Sequence, residues 1–178
     1  MNKLLKSLIL CFVATLAIYA QTDERHQMSN SHVSINAIDF RSSRNLETVK
    51  DGNRDFVMGK AKTYDNAKDG EPGKLFQPYA EYGIKSKMAG GTFKVTITYK
   101  IDKEERKENK GATRKVRLAL DEHAPVEIEL KESGLGYLKA VQEFDMKFLR
   151  GKNHVVKLWL PSRGVMVDKI DIRRKLFK

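Results

Sequence analysis

The chain has 178 residues, with 34 Lys and Arg residues against 23 Asp and Glu residues and a single cysteine. Hydrophobic residues make up 40% and charged residues 32% of the sequence, a composition that excludes a disordered chain and a body that spans a membrane. A chain of this size is expected to fold around one core, which argues against a two-domain enzyme with a divided active site.

The N-terminus has the pattern of a secretory signal peptide. Lys3 and Lys6 precede an apolar stretch over 7–19, and Ala20 offers a small residue for cleavage. The apolar stretch is shorter than a membrane-spanning helix requires. We therefore predict export to the periplasm, the cell surface or the extracellular space, with a signal peptide over 1–20, a polar lead over 21–31 and a single domain over 32–178.

Cleavage after Ala20 would change the chemistry of the chain. It would remove Cys11, the only cysteine, and so leave no thiol and no disulfide, which suits a bacterial exported protein that relies on its core. The loss of Lys3 and Lys6 would lower the net charge from +11 to +9.

The rest of the sequence alternates with a period of two, which is typical of half-buried β-strands. Turn signals rich in Gly, Pro and Asn separate the alternating segments. Eight or nine short strands at this spacing predict an all-β fold, a β-sandwich or jelly roll. The alternating segments are 33–37, 93–99, 116–120, 126–130, 144–148, 156–160 and 170–172.

Two segments lack this alternation. The charged stretch 102–110 has mixed sign and is predicted to be a solvated hairpin loop. The stretch 59–78 contains two aromatic residues and a turn cluster. Irregular connections of this length are often functional; the alternative is a surface excursion whose aromatic side chains pack beneath it.

The order of the motifs is itself informative. The relevant segments are 79–85 (YAEYGIK), 89–99 (AGGTFKVTITY), 116–121 (VRLALD), 130–134 (LKESG), 151–158 (GKNHVVKL) and 165–172 (VMVDKIDI). In this order they resemble the core motifs of galactose-binding-like carbohydrate-binding modules, especially families 6 and 35. The resemblance implies a galactose-binding-like sandwich that binds a polysaccharide or glycan without catalysis.

The resemblance also implies a structural calcium ion, for which Asp39 and Asp168 are the candidate ligands. Ala37 is followed by Ile38 where the family has a glutamate, so this sequence departs from the pattern. Asp168 is two residues before Ile170, so its side chain is expected to project from the same face of the strand and to point inward. Backbone N–H groups or an arginine are the alternative partners for its carboxylate.

Sugar recognition needs an aromatic platform and hydrogen-bonding groups. Trp159 follows Leu158 in the strand, so its side chain is expected to project from the opposite face and to point outward, toward solvent or toward a loop or the polar lead that covers it. Lys157 and Arg117 are also predicted to point outward. Together with Arg173 they would form a cationic face for anionic glycans if their strands are neighbours.

Loop aromatics supply further candidate ligand contacts. Tyr137 follows a glycine-containing turn at the position where the similar modules hold a binding aromatic, and Tyr64 and Asn66 lie in the 59–78 stretch. Tyr79 is a further candidate, whereas Tyr82 is expected to pack in the core.

The sequence offers no clear catalytic constellation. It contains no zinc-protease, hydrolase or phosphate-binding motif, and the four histidines lack metal-ligand spacing. A glycosidase stays open because its two carboxylates need only be close in space. We expect a monomeric, noncatalytic carbohydrate-binding protein with no transmembrane segment and no nucleic-acid partner in vivo. The alternative is a periplasmic or cell-surface interaction protein of the same fold without a sugar site.

Overall fold

The alternating sequence folds into twelve strands and two short helices within the part of the chain described by the computed structural model, residues 26–28, 31–65, 67, 72–73, 75–86, 90–132, 136–146 and 153–175. The elements are β1 (His26–Met28), β2 (His32–Asn36), β3 (Ser42–Arg44), β4 (Leu46–Asp51), β5 (Arg54–Gly59), α1 (Ala61–Asp65), β6 (Tyr79–Ser86), β7 (Gly91–Ile101), α2 (Lys103–Glu108), β8 (Arg114–Leu120), β9 (Val126–Leu130), β10 (Leu138–Met146), β11 (Asn153–Trp159) and β12 (Val165–Arg174). The predicted signal peptide, Cys11 and Asn66 lie outside these described residues.

The strands form two six-stranded sheets. The first sheet has the order β1–β6–β11–β8–β9, and β3 also pairs with β6. The second sheet has the order β10–β7–β12–β5–β4, and β2 also pairs with β12. β1 runs parallel to β6, whereas the other strand pairs are antiparallel. This arrangement confirms the predicted all-β sandwich.

Alternation along each strand places apolar side chains between the sheets. Leu118 and Leu158 in the first sheet and Ile97 and Ile170 in the second are each at most 1% exposed. Removal of these side chains from water is the main driving force for pairing the sheets. Tyr82 and Tyr99 lie in the same core, as their parity predicts. The polar residues that alternate with these core residues along each strand lie on the two outer faces of the sandwich.

The structure corrects the predicted extent of the sandwich. β1, which falls within the predicted polar lead, joins the first sheet, and its Met28 is 1% exposed. Strands β3, β4 and β5 were not predicted. The domain therefore includes residues 26–28 in addition to the described residues of the predicted range 32–178.

The charged stretch at 102–110 also differs from the prediction, because it contains α2 rather than only a loop. Asp102 caps this helix: its carboxylate accepts hydrogen bonds from the backbone N–H groups of Glu104 and Glu105, both at 3.0 Å. The Asp102 backbone N–H donates to Gly164 O at 2.8 Å, which ties the helix to the start of β12. Within the described part of the chain, neither helix is long or apolar enough to cross a membrane.

Asp168 does not face the core as predicted, because the strand register shifts at this residue. Val167 lies opposite Tyr99 and Lys169 lies opposite Thr98, so Asp168 is the extra residue of a β-bulge in β12. A bulge reverses the inward and outward parity that follows it. The Asp168 side chain is instead 18% exposed and accepts a hydrogen bond from Arg54 Nη1 at 2.9 Å.

Candidate functional site

Four of the candidate ligand residues, Trp159, Lys157, Arg117 and Tyr79, lie together on the outer face of the first sheet. Strand register places Trp159 between Tyr79 on β6 and Arg117 on β8. Arg44 lies beyond Tyr79, and Glu127 lies beyond Arg117. These five residues, Arg44, Tyr79, Trp159, Arg117 and Glu127, form what we call the outer row. Lys157 lies two residues from Trp159 on the same face.

The centre of the outer row is an aromatic pair. The rings of Tyr79 and Trp159 have centroids 5.0 Å apart and planes tilted by 40°, and both side chains are half-buried. The described part of the polar lead, β1, pairs with Ile84–Ser86 at the opposite end of β6 from Tyr79. The expectation that Trp159 points outward is confirmed, and β1 does not cover it.

Arg117 is held in one orientation by two neighbours. Its Nε donates to Glu127 Oε2 at 2.9 Å, and its Nη1 donates to Gln77 Oε1 at 3.2 Å. Lys115 Nζ lies 2.9 Å from the other Glu127 oxygen. Hydrogen bonds from Lys115 and Arg117 lower the pKa of Glu127, so this carboxylate is held ionised as an acceptor.

The opposite side of the aromatic pair has a second polar cluster. The Tyr79 hydroxyl donates to Glu81, whose carboxylate also accepts from Arg41 Nη2 at 3.2 Å. Burial raises the pKa of Tyr79, and the hydrogen bond to Glu81 raises it further. Glu81 lies opposite Lys157 in the strand register. The aromatic pair is therefore flanked on both sides by oriented donors and acceptors.

A cleft of about 430 Å³ lies near the outer row, since its lining residue Asn45 directly follows Arg44 in the chain. Gln77 joins the two, since its Oε1 contacts Arg117 and its Nε2 donates to Pro72 O at 3.2 Å. Asn45 Nδ2 donates to Phe76 O at 2.8 Å and fixes the opposite wall. The described lining residues are Asn45, Lys62, Thr63, Ala67, Pro72, Gly73 and Phe76.

Two exposed apolar side chains are adjacent in sequence here, and one of them, Phe76, lines the cleft. Leu75 is 77% exposed and Phe76 is 67% exposed. They lie in the 59–78 stretch that the sequence singled out for its lack of strand pattern.

Tyr64 is buried, whereas a residue that contacts a ligand must have an accessible side chain. Its side chain is 4% exposed, and its hydroxyl donates to Leu160 O at 2.8 Å. Burial raises its pKa. In this structure Tyr64 anchors α1 to the end of β11, which matches the alternative that aromatics of the long connection pack beneath it.

Tyr137 is separated from the outer row, because it lies beside the second sheet. It is 44% exposed, but its ring stacks on Phe56 at 5.9 Å with an interplanar angle of 5°. The Arg54 guanidinium carbon lies 4.3 Å from the same ring centroid. The ring thus has two protein contacts but keeps an accessible part, and its role as a ligand contact stays a prediction.

Arg173 is likewise on the second sheet, in β12. The predicted cationic face is therefore wrong in including Arg173, because β12 lies in the other sheet, whereas β8 and β11, which carry Arg117 and Lys157, are neighbours. On the outer row, the charge of Arg117 is offset by Glu127.

The two candidate calcium ligands each have a protein partner. Asp168 is paired with Arg54, the alternative that the sequence left open, and Asp39 accepts from Asn36 Nδ2 at 2.8 Å. Within the described ranges, no group of three or more His, Cys, Asp or Glu side chains is placed to hold a metal ion. A calcium ion stays a prediction, and these contacts lend it no support.

The outer row contains residues that parity alone did not identify as a site. Arg44 and Glu127 in the row, and Gln77 and Glu81 beside it, were not identified as site residues from the sequence. Their positions depend on which strands are neighbours, which a single sequence does not reveal. Phe76 could have been found from its place in the long irregular connection.

Sequence comparison and fold comparison give different results. The sequence matches no protein-family model and no curated protein. The fold matches the C-terminal CBM6 module of LamC, a marine laminarinase from Zobellia galactanivorans, with a TM-score of 0.56 at 11% identity over 80% of this chain and 99% of that one. It also matches the CBM35 module of Abf62 from Cellvibrio japonicus, with a TM-score of 0.52 at 14% identity over 82% of this chain and 95% of that one.

The chain has the fold of these modules. This confirms the galactose-binding-like fold that the motif order predicted. A GH26-CBM35 β-(1,4)-mannanase from Podospora anserina also aligns, with a TM-score of 0.58 at 13% identity over 84% of this chain. The alignment spans 29% of the mannanase chain.

Proposed function

We propose that this protein is an exported, noncatalytic carbohydrate-binding module and that the outer row binds a polysaccharide or glycan. The observation that carries the proposal is the pair of half-exposed rings, Tyr79 and Trp159, flanked by oriented polar groups. Export rests on the signal-peptide pattern at residues 1–20. The solved structures that align over nearly their whole length support a binding role, because they are carbohydrate-binding modules.

The outer row meets both physical needs of sugar recognition. The apolar face of a pyranose stacks on Trp159, which has the larger ring, while Tyr79 extends the platform toward Arg44. Sugar hydroxyls then accept hydrogen bonds from Arg117 and donate to the carboxylate of Glu127. Because Glu127 and Gln77 already hold Arg117 in place, little side-chain entropy is lost on binding.

The acidic side chains beside the aromatic pair favour ligands rich in hydroxyl groups over strongly anionic ones. Glu127 pairs with both Lys115 and Arg117, and Glu81 pairs with Arg41. Arg44 and Lys157 have no ion-pair partner among the described residues, so the surface keeps some positive charge. We therefore assign neutral or weakly anionic glycans to the outer row.

A longer ligand on the aromatic pair would extend into the adjoining cleft. A chain lying on the aromatic pair reaches Phe76 and Asn45 on passing Gln77, so a longer oligosaccharide gains contacts that a monosaccharide does not. We expect affinity to rise with chain length until the cleft is filled.

A glycan array tests this function with the full chain, Trp159→Ala and Tyr137→Ala. We expect wild type and Tyr137→Ala to bind the same neutral glycans, because Tyr137 lies beside the second sheet, away from the outer row. Trp159→Ala should lose at least about tenfold in affinity, as expected for a central aromatic contact. Equal loss in the two variants would contradict the assignment to the outer row.

The alternative function is an interaction protein of the same fold without a sugar site. One observation favours it: Leu75 and Phe76 are exposed side by side, as is common at protein contact surfaces. Failure of wild type to bind any glycan, together with binding of a protein partner that is lost in Phe76→Ala, would establish this alternative.

A further inference from the structure

The second sheet carries a surface of different electrostatic character. Four basic side chains, Lys94, Lys139, Lys169 and Arg173, lie on its outer side, and we call them the basic face. Each follows or precedes a core residue along its strand; for example, Lys94 lies between Phe93 and Val95, which are 0% and 2% exposed. Three of the four, Lys94, Lys139 and Arg173, are exposed.

Strand register gives the dimensions of the basic face. Lys94 and Arg173 are direct partners on β7 and β12. Lys139 and Lys169 lie on either side of Thr98, four residues along β7 from Lys94. With strands about 4.8 Å apart and a rise of about 3.3 Å per residue, the four cations span a patch of roughly 10 by 13 Å.

The acidic residues on this face are already engaged. Glu143 pairs with Lys175 at 2.9 Å. Asp171 lies 3.1 Å from His32 Nε2 and Asp145 accepts from Thr92 Oγ1 at 2.7 Å, so these two carboxylates have hydrogen-bonding partners but keep their negative charge. Among the residues that the structure describes, none of the four cations of the basic face has an ion-pair partner. This differs from the outer face of the first sheet, where Glu127 pairs with Lys115 and Arg117, and Glu81 pairs with Arg41.

The groups between the cations indicate what kind of anion fits. Thr96 and Ser34 lie in register with Asp171 between the two cation pairs and present hydroxyl groups. Over the described strands of this face, the outward residues between Lys139 and Glu143, between Lys94 and Thr98, and between Lys169 and Arg173 include no Phe, Tyr or Trp. Stacking on nucleic-acid bases is therefore not supported, whereas charge and hydroxyl contacts to an acidic sugar polymer are.

We propose that the basic face binds an acidic polysaccharide, one that carries carboxylate or sulfate groups along its chain. Several regularly spaced anions meet several unpaired cations, so the attraction is additive and depends strongly on salt. This site is independent of the outer row, since it lies on the other sheet. A chain that uses both faces would link a neutral glycan to an acidic one.

The test measures binding of the full chain to dextran sulfate, polygalacturonate and uncharged dextran over a range of NaCl concentrations. Lys94→Gln/Arg173→Gln removes two cations of the basic face, and Lys103→Gln/Lys110→Gln is the matched control. Both control residues are exposed and have no ion-pair partner among the described residues, so the two variants lose the same charge.

We expect Lys94→Gln/Arg173→Gln to weaken binding to the anionic dextran sulfate or polygalacturonate by about tenfold at low salt and to flatten the salt dependence. The control should change affinity by less than about twofold, and Trp159→Ala should leave this binding unchanged. Equal losses in the two double variants would overturn the proposal, because net charge alone would then explain binding. The proposal would also be overturned if duplex DNA bound as tightly as dextran sulfate and polygalacturonate do, or if neither of these two polysaccharides bound.

Discussion

Trp159 and Arg117 depend on each other for their roles at the outer row. Trp159 offers a flat apolar surface, but a sugar ring on it needs hydrogen-bond donors at a fixed place. Arg117 supplies them because Glu127 and Gln77 hold its guanidinium from two sides. An arginine without those partners would lose rotamer entropy on each binding event.

Tyr64 provides a prediction at the scale of single residues. Tyr64→Phe removes the donor to Leu160 O and leaves a buried carbonyl without it, so we expect a loss of about 1 to 2 kcal/mol in the free energy of unfolding. Urea denaturation measures this loss. Tyr137→Phe is the control, because its hydroxyl is on a partly exposed ring and should change stability by less than about 0.5 kcal/mol.

The same variant also tests the earlier assignment of Tyr64 as a ligand contact. We expect Tyr64→Phe to keep wild-type affinity for glycans. A selective loss of glycan binding with unchanged stability would return Tyr64 to the binding site.

At the scale of elements, α2 depends on the cap that Asp102 provides. Asp102→Ala removes the acceptor for the N–H groups of Glu104 and Glu105, and we expect it to lower stability by about 1 kcal/mol. Asp102→Asn keeps a side-chain oxygen and should stay close to wild type. Thermal denaturation of both variants checks this; equal stability of Asp102→Ala and wild type would show that the helix does not need its cap.

Strand patterns explain which elements the sequence could predict. β7, β8 and β11 each have one buried and one solvated face, so a period of two identifies them. β5 lacks that period because Phe56 and Val57 are adjacent and both 0% exposed: Val57 faces the core, and Phe56 is covered by Tyr137 on the outer side. β3 is exposed at all three positions and gives no hydrophobic signal.

The candidate site was only half predictable for a related reason. Parity along one strand showed that Trp159, Lys157 and Arg117 point outward. Strand order, which decides that Arg117 lies next to Trp159 and that Arg173 lies on the other sheet, depends on pairing between residues far apart in sequence. The bulge at Asp168 likewise reverses parity without a sequence signal that could be read in isolation.

At the scale of the whole molecule, buried tyrosines set the alkaline limit of stability. Burial raises the pKa of Tyr64, Tyr82 and Tyr99 in the folded chain. The folded state therefore holds these protons more tightly than the unfolded chain, in which the pKa is about 10. Their contribution is complete below pH of about 10 and is lost progressively as the pH rises above it.

Chemical denaturation at a series of alkaline pH values measures this loss. We expect the unfolding free energy to be level approaching pH of about 10 and then to fall, with tyrosinate absorbance appearing together with unfolding. Tyr82→Phe should reduce the slope of the fall. Tyrosinate formation by all tyrosines at their ordinary pKa in a still-folded protein would contradict the burial of these side chains.

The two outer faces divide the charge of the molecule. In the outer row Glu127 pairs with Arg117 beside the aromatic pair, whereas none of the four cations of the basic face has an ion-pair partner among the described residues. We expect such a protein to bind its two proposed kinds of ligand under different conditions, because salt should weaken only the binding to the basic face strongly.

The central claim is that Trp159 is the sugar platform, and its own fluorescence tests it most directly. Trp159 is the only tryptophan of the chain, so its emission reports on this surface alone. Titration with a neutral oligosaccharide selected on the array should shift the emission in a saturable manner, at the same concentrations at which calorimetry detects binding. Tyr79→Ala should require at least about tenfold more ligand. Binding detected by calorimetry with no change in tryptophan emission would contradict the account.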